Sequence, residues 1–174
     1  YVALKSKVAT AIFSLEMSRT QLVNRILAMN SKVDSQAIRT GDLKDEDWAK
    51  LMESAKLTGE SPLIIDDTPG ISIQELRSKC RKYKLEKNLG LVIIDYLQLM
   101  DNEDRTDSRV NAIGNISRSL KKLAMDINVP VICLSQLNRG PEKEKRRPVA
   151  SDLRDSGNIE QDADVILMLY REDF

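Results

Sequence analysis

Apolar residues fall along this chain in two alternating rhythms. Short continuous runs, rich in Val and Ile, occupy residues 8–14, 62–66, 91–95, 129–135 and 165–170. Apolar side chains on both sides of a run suit strands covered on both faces, as in a parallel sheet. Between the runs the apolar period changes to three and four. Val110, Ile113, Ile116, Leu120, Leu123 and Ile127 mark one face of a helix through about five turns. Trp48, Leu51, Met52 and Ala55 mark another, and Ile73, Leu76, Cys80 and Tyr83 a third. Ser72 and Glu75 have capping-box spacing, and Ile71 and Leu76 hold the positions of a hydrophobic staple. The order β-α-α-β-α-β-α-β-loop-β predicts an α/β fold, a doubly wound, mostly parallel sheet with helices on both faces. Neither a repeat nor a linker interrupts it, so residues 1–174 read as one domain. The least regular stretch, 138–150, sets Arg139, Lys143, Lys145, Arg146 and Arg147 among Gly140, Pro141 and Pro148, a loop with a positive excess.

Composition narrows the chemistry. The 174 residues carry 27 Lys plus Arg against 27 Asp plus Glu, so any nucleic-acid contact must use a local patch or an assembled ring. With no His, the common zinc sites and His-dependent triads are excluded. Cys80 and Cys133 stand apart and read as reduced, buried thiols, as expected in the cytoplasm. No apolar run approaches the roughly 20 residues that a membrane helix needs, and no secretion-signal pattern opens the chain.

Polar side chains stand where the predicted strands end, and in an open α/β sheet ligands bind outside the carboxyl ends of strands. The first strand leads to Glu16, the third ends on Asp95, and the fourth leads to Ser135 and Gln136. A carboxylate after four buried apolar residues costs several kcal/mol if desolvated alone, so a cation, a metal-bound water or a donor is expected to face Asp95. An apolar strand with a terminal Asp is the Walker B arrangement, which holds Mg²⁺ through water beside nucleotide phosphates. Taken singly, Glu16 reads as a solvated loop residue, and Gln136 as a helix cap or a partner of a backbone group. Together they supply a magnesium ligand, a base for water and an amide able to report a γ-phosphate. A phosphate-binding loop, Gly-x-x-x-x-Gly-Lys-Ser/Thr, is missing, because none of the seven glycines is followed by Lys and then Ser or Thr. Residues 1–7 look like the tail of a helix entering a strand, as just downstream of such a loop. A chain that begins after it is the expectation.

The strings AIFSLEMS (11–18), RTG (39–41), IDDTPGIS (65–72), LVIIDYLQLM (91–100), ISRSLKKLA (116–124), NVPVICLSQLNR (128–139) and KRRPVASDLRDSGNIEQDAD (145–164) closely resemble the DnaB family of bacterial replicative DNA helicases. The likeness runs in order over essentially the whole chain. It implies a RecA-like P-loop NTPase fold and a hexameric ring around single-stranded DNA, coupling ATP hydrolysis to 5′-to-3′ translocation. By that resemblance Glu16 is the catalytic base, Asp95 the Walker B residue binding Mg²⁺ through water, and Gln136 the γ-phosphate sensor. Arg25 is a nucleotide-side contact, with a solvated helix charge as the other reading. Arg154, Asp155 and Gly157 match the DNA-gripping motif. Primase and a helicase loader are the implied partners, in the bacterial cytoplasm with the nucleoid-associated replication machinery.

The chain departs from the family pattern in three places. Position 155 is Asp where the family usually carries Glu, which shortens any contact there by a methylene. The phosphate loop is absent, and residue 174 precedes the segment expected to carry a trans-acting arginine finger, so the chain by itself is expected to be inactive. Aromatics are only 4% of the sequence and none lies in 139–163, so base stacking is not the expected DNA grip. Phosphate contact through Arg154, backbone N–H groups near Gly157 and the basic loop at 143–147 remain. The other readings are a local Arg154–Asp155 ion pair and a solvated loop. A RecA- or RadA-like recombination or repair ATPase, and a non-catalytic RecA-like interaction module, stay open as alternative functions.

Overall fold

Four of the five apolar runs form strands in the computed structural model, which describes residues 1–101, 109–153 and 157–172. These are β1 (Thr10–Ser14), β2 (Leu63–Asp66), β3 (Leu91–Asp95) and β4 (Val131–Cys133). They pair in parallel, in the order β2-β1-β3-β4. Thr10 lies opposite both Leu63 and Leu91, Ser14 opposite Asp95, and Ile94 opposite Cys133. The strands therefore end along one rim.

Strand alternation sends Ala11, Phe13, Val92 and Ile94 into the main core. Two helices cover that face, α4 (Ile73–Lys87) with Leu76 and Cys80, and α5 (Arg109–Ile127) with Ile113, Ile116, Leu120, Leu123 and Ile127. Val110, predicted on the same face of α5, is exposed at the helix start. The staple residues Ile71 and Leu76 are both buried, whereas only half of the capping box forms. Ser72 Oγ accepts from the Glu75 N–H at 3.2 Å, but the Glu75 carboxylate pairs with Lys79 at 2.8 Å. The other sheet face is covered less completely. Ile12 and Ile93 are half-buried and Ile132 is exposed.

Three helices, not two, join β1 to β2: α1 (Arg19–Ser31), α2 (Ser35–Thr40) and α3 (Asp45–Gly59). Asp34 Oδ1 accepts from the Gln36 N–H at 2.8 Å to start α2, and Gly41, at φ 79°, stops it. α1 packs on both α3 and α2. The apolar face predicted for α3 is rotated. Leu51 and Ser54 are buried, while Trp48 and Met52 are exposed, because α3 packs on α1, with Ser54 Oγ donating to Leu27 O at 3.4 Å.

The fifth run, 165–170, is not a strand. A strand exists through its ladder partners, and none of the described segments pairs with it, so Val165, Leu167 and Leu169 stand in solvent. The predicted loop 138–150 contains a five-residue helix, α6 (Gly140–Glu144). The last helix, α7 (Gly157–Asp162), packs on α5 with Asn158 over Gly114. Residues 1–7 form turns, with one helix-like bond from the Lys5 N–H to Tyr1 O at 2.8 Å. No helix among the described residues is long and apolar enough to cross a membrane.

Candidate functional site

The strand order has its switch point between β1 and β3: the chain leaves β1 toward β2 on one side and β3 toward β4 on the other. That crevice, at the carboxyl ends, is where doubly wound sheets bind ligands. Ser14 lies opposite Asp95, and the Leu15 N–H donates to Asp95 O at 2.7 Å, so Glu16 leaves the sheet beside Asp95. Ser14 Oγ donates to Met17 O at 2.8 Å and pins the turn that presents Glu16 to solvent. Just beyond, Ser18 and Gln21 cap α1 reciprocally, and the Arg19 N–H donates to Asp67 Oδ2 at 2.8 Å.

Asp95 is half-buried, and among the described residues no side chain bonds or pairs its carboxylate. The expected facing cation or donor is therefore not one of these protein groups. Partial exposure relieves the desolvation cost instead. Burial pushes the Cys133 thiol up to about 12, and the Asp95 charge acts in the same direction. Both cysteines are free thiols, as expected from their isolation in the sequence, but only Cys80 is buried as expected; Cys133, at the end of the short strand β4, is half-buried.

Gln136 joins the same rim through a residue that the sequence reading passed over. Gln98 sits on a one-turn 3-10 helix, Leu97–Leu99. Its Nε2 donates to Ser135 Oγ at 2.9 Å, and its Oε1 accepts from the Gln136 N–H at 3.2 Å. The available signal was a single polar residue inside the apolar stretch after Asp95. A second missed cluster closes the end of β2. Lys79 Nζ meets Asp66 Oδ2 and Glu75 Oε1, both at 2.8 Å, while Thr68 Oγ1 donates to Asp66 Oδ1 at 2.6 Å. Burial alone would raise the Asp66 carboxyl, but bonds from Lys79 and Thr68 outweigh it and hold it below its ordinary value. Burial would likewise lower Lys79, and its bonds to Asp66 and Glu75 raise it instead.

Three of the predicted site residues, Glu16, Asp95 and Gln136, thus issue from strand ends on one rim. Arg25 lies on the helix that follows Glu16. It is exposed on α1, about 9 Å of helix axis beyond Arg19. Gly157 opens α7, and Arg154 and Asp155 lie outside the described residues. The segment leading to them is anchored. Leu137 and Leu153 form an antiparallel bridge, and the Asn138 N–H donates to Asp152 O at 2.7 Å. Asp152 accepts from both terminal nitrogens of the Arg146 guanidinium, at 2.6 and 2.8 Å, and from the Val149 N–H at 2.9 Å. The Arg146 bonds, more than any other cause, hold the Asp152 carboxyl well below the usual range. Arg147 pairs with Glu172 and lies 5.6 Å from the Tyr170 ring centre. Two cations of the basic loop are therefore committed to the protein, while Lys143 and Lys145 are exposed.

A family model described as the DnaB-like helicase C terminal domain matches residues 1–174. The chain belongs to that family. It is 49% identical over 175 aligned positions to the replicative DNA helicase DnaC of Bacillus subtilis, covering 99% of this chain and 38% of that protein. Similarity to the replicative DNA helicase DnaB of Geobacillus stearothermophilus is 47%, again over 99% of this chain and 38% of the relative. The chain therefore spans well under half the length of these relatives. Among solved structures it resembles one described as an ATPase domain, with a TM-score of 0.92 and 39% identity, over 97% of this chain and 61% of that one. A DnaB-like replicative helicase described with its interactions with primase gives the same TM-score and identity, over 97% of this chain and 41% of that chain. The fold is the RecA-like ATPase architecture of the DnaB-like domains.

For a metal, the donor set suits one kind of ion. No group of three or more His, Cys, Asp or Glu side chains gathers among the described residues, so no protein cage exists there. Mg²⁺ beside phosphates keeps most of its waters and takes one or two carboxylates, and Asp95 offers one.

Proposed function

We propose that the chain is the ATP-hydrolysing motor domain of a replicative DNA helicase that works as a homohexameric ring, translocating 5′-to-3′ on single-stranded DNA. The observation that carries this reading is the parallel register that gathers the ends of β1, β3 and β4 at the switch point. Glu16, exposed beside that crevice, polarises the attacking water and takes its proton. Asp95 holds Mg²⁺ through water. Gln136 contacts the γ-phosphate, and Arg25 reaches the nucleotide from α1. Bound Mg²⁺ neutralises charge on the β- and γ-phosphates. Because the 174 residues contain no phosphate-binding loop, by themselves they should not turn over ATP.

On the DNA side, Arg154 and the backbone N–H groups near Gly157 hold phosphates, with Asp155 in the same motif. Zero formal net charge means this grip is local, multiplied by the ring rather than supplied by bulk charge. Primase and a loader are the partners, and the site of action is the cytoplasmic, nucleoid-associated replication machinery. The test is unwinding by the full-length protein on a forked duplex. ATP-dependent strand separation that requires a 5′ single-stranded tail is expected. Strand exchange without unwinding would favour the recombination reading, and neither activity with no ATP turnover would favour an interaction module.

A further inference from the structure

We propose that Gln98 is a positioning residue. Its amide fastens the Gln136 backbone to the strand end that carries Asp95, so that the nucleotide rim and the 137–153 loop respond as one unit. This rests on the nucleotide reading of the rim. Gln98 stands three residues beyond Asp95, on the turn Leu97–Leu99. Leu97, 3% exposed, roots that turn in the core and donates its N–H to Leu134 O at 3.0 Å. A backbone N–H can only donate, so the Gln98 atom 3.2 Å from Gln136 N is Oε1; Nε2 is left for Ser135 Oγ, at 2.9 Å. One planar amide thus grips two successive residues. The task needs a donor and an acceptor on one end at glutamine's reach. Asparagine is a methylene short, and methionine has similar length with neither group.

The position of these bonds gives them their effect. The backbone ladder from β3 ends at Leu134, whose N–H donates to Ile94 O at 2.9 Å. The next anchor is the bridge at Leu137. Among the described residues, the hydrogen bonds to Ser135 and Gln136 come from Gln98. Beyond them, Leu137 bridges Leu153, and Asn138 bonds Asp152, which Arg146 clamps. Past Leu134, the hydrogen bonds that tie the Asp95 strand end to the chain leading toward 154–157 are therefore those of this amide. Misplacing a reacting or sensing group by about 1 Å costs roughly 10²-fold in rate.

The test uses the full-length protein, with steady-state ATP turnover measured with and without a thymidine oligonucleotide. Gln98→Met should lower DNA-stimulated kcat by about 10- to 100-fold while KM for ATP stays within about twofold. The ratio of DNA-stimulated to DNA-free turnover should then drop toward one. Partial misfolding scales both rates alike, so an unchanged ratio overturns the proposal. A wild-type ratio of one would contradict the coupling outright. Ser135→Ala, which keeps the Gln136 bond, should lower the ratio less, and should add nothing in the Gln98→Met background. Additive losses would also overturn the proposal. Glu16→Gln is the control. If it turns over at the normal rate, the nucleotide reading fails whatever Gln98 does. If it is dead while Gln98→Met keeps its ratio, only the role of Gln98 falls.

Discussion

Gly114 lies within α5, where α7 crosses, and replacing it with Ala tests how the DNA-side segment is docked. A Cβ built there would stand 2.1 Å from Asn158 Nδ2, 2.9 Å from its Cγ and 3.2 Å from its Cβ. The amide and Cγ can leave only by turning χ1, which gives up their present packing, and Cβ, fixed by the α7 backbone at 3.2 Å, must yield by a few tenths of an ångström, so α7 is loosened. Overpacking of this kind costs about 1–3 kcal/mol. Against it, Ala in a helix interior regains about 0.8–1.0 kcal/mol over Gly. The net is a loss of about 0–2 kcal/mol, borne at the α5–α7 contact. With only six residues, α7 is too short to hold together by itself, so the loss should appear as faster local opening. Amide hydrogen exchange at 159–162 in the full-length protein should accelerate by up to about thirtyfold. In Gly114→Ala/Asn158→Ala only the 3.2 Å contact remains, and protection should return to the wild-type level or above. Slower exchange in Gly114→Ala, with no response to truncating Asn158, would refute the packing argument.

Three further outcomes are expected. Lys79→Met removes the partner of Asp66 at 2.8 Å and should cost about 1–2 kcal/mol at neutral pH, discounted for partial exposure. The folded Asp66 lies below its ordinary 3.8, so its contribution is complete above that value and is lost as pH falls through the folded value; Lys79 lies above its ordinary 10.5, so its contribution is complete below that and is lost as pH rises through the folded value. The difference in unfolding midpoint should therefore be flat from about pH 5 to 9 and shrink in acid, and a gap that widens below pH 4 would contradict it. Cys80, fully buried and pushed up to about 12 chiefly by that burial, should label with an aromatic disulfide reagent at pH 8 about 10³-fold more slowly than a free thiol; labelling at the free rate in the native protein would be inconsistent with that burial. Arg154→Ala should weaken single-strand binding regardless of sequence and lower the salt slope by about one, whereas unchanged affinity across a salt titration would remove Arg154 from the DNA site.

Much of this architecture was legible from periodicity because the chain's local and tertiary signals agree where side chains meet the main core. The α5 stripe from Ile113 to Ile127 is buried as its spacing predicts, and β1 to β4 fall within four of the five apolar runs. Legibility failed where a partner decides the outcome. The 165–170 run has strand composition, but composition cannot supply a ladder. Trp48 and Met52 share helical spacing with Leu51, yet α3 packs chiefly on α1, and a two-helix contact hides a narrow stripe. The strand-end residues Glu16, Asp95 and Gln136 could be picked out because polar groups after buried runs are unusual. Gln98 gave only the weak signal of one polar residue in an apolar stretch, since its bonds reach residues 37 and 38 positions away. Similarly, the basic loop looked uniformly solvated until Arg146 was found locked on Asp152.

The central claim is that Glu16 acts on water at a rim shared with Asp95 and Gln136. Its most direct test is Glu16→Gln in the full-length protein, with nucleotide affinity and single-turnover hydrolysis measured on the same sample. Affinity should stay within about threefold while hydrolysis falls by about 10²–10⁴, the range for losing a general base. Hydrolysis near the wild-type rate, with nucleotide bound, would contradict it.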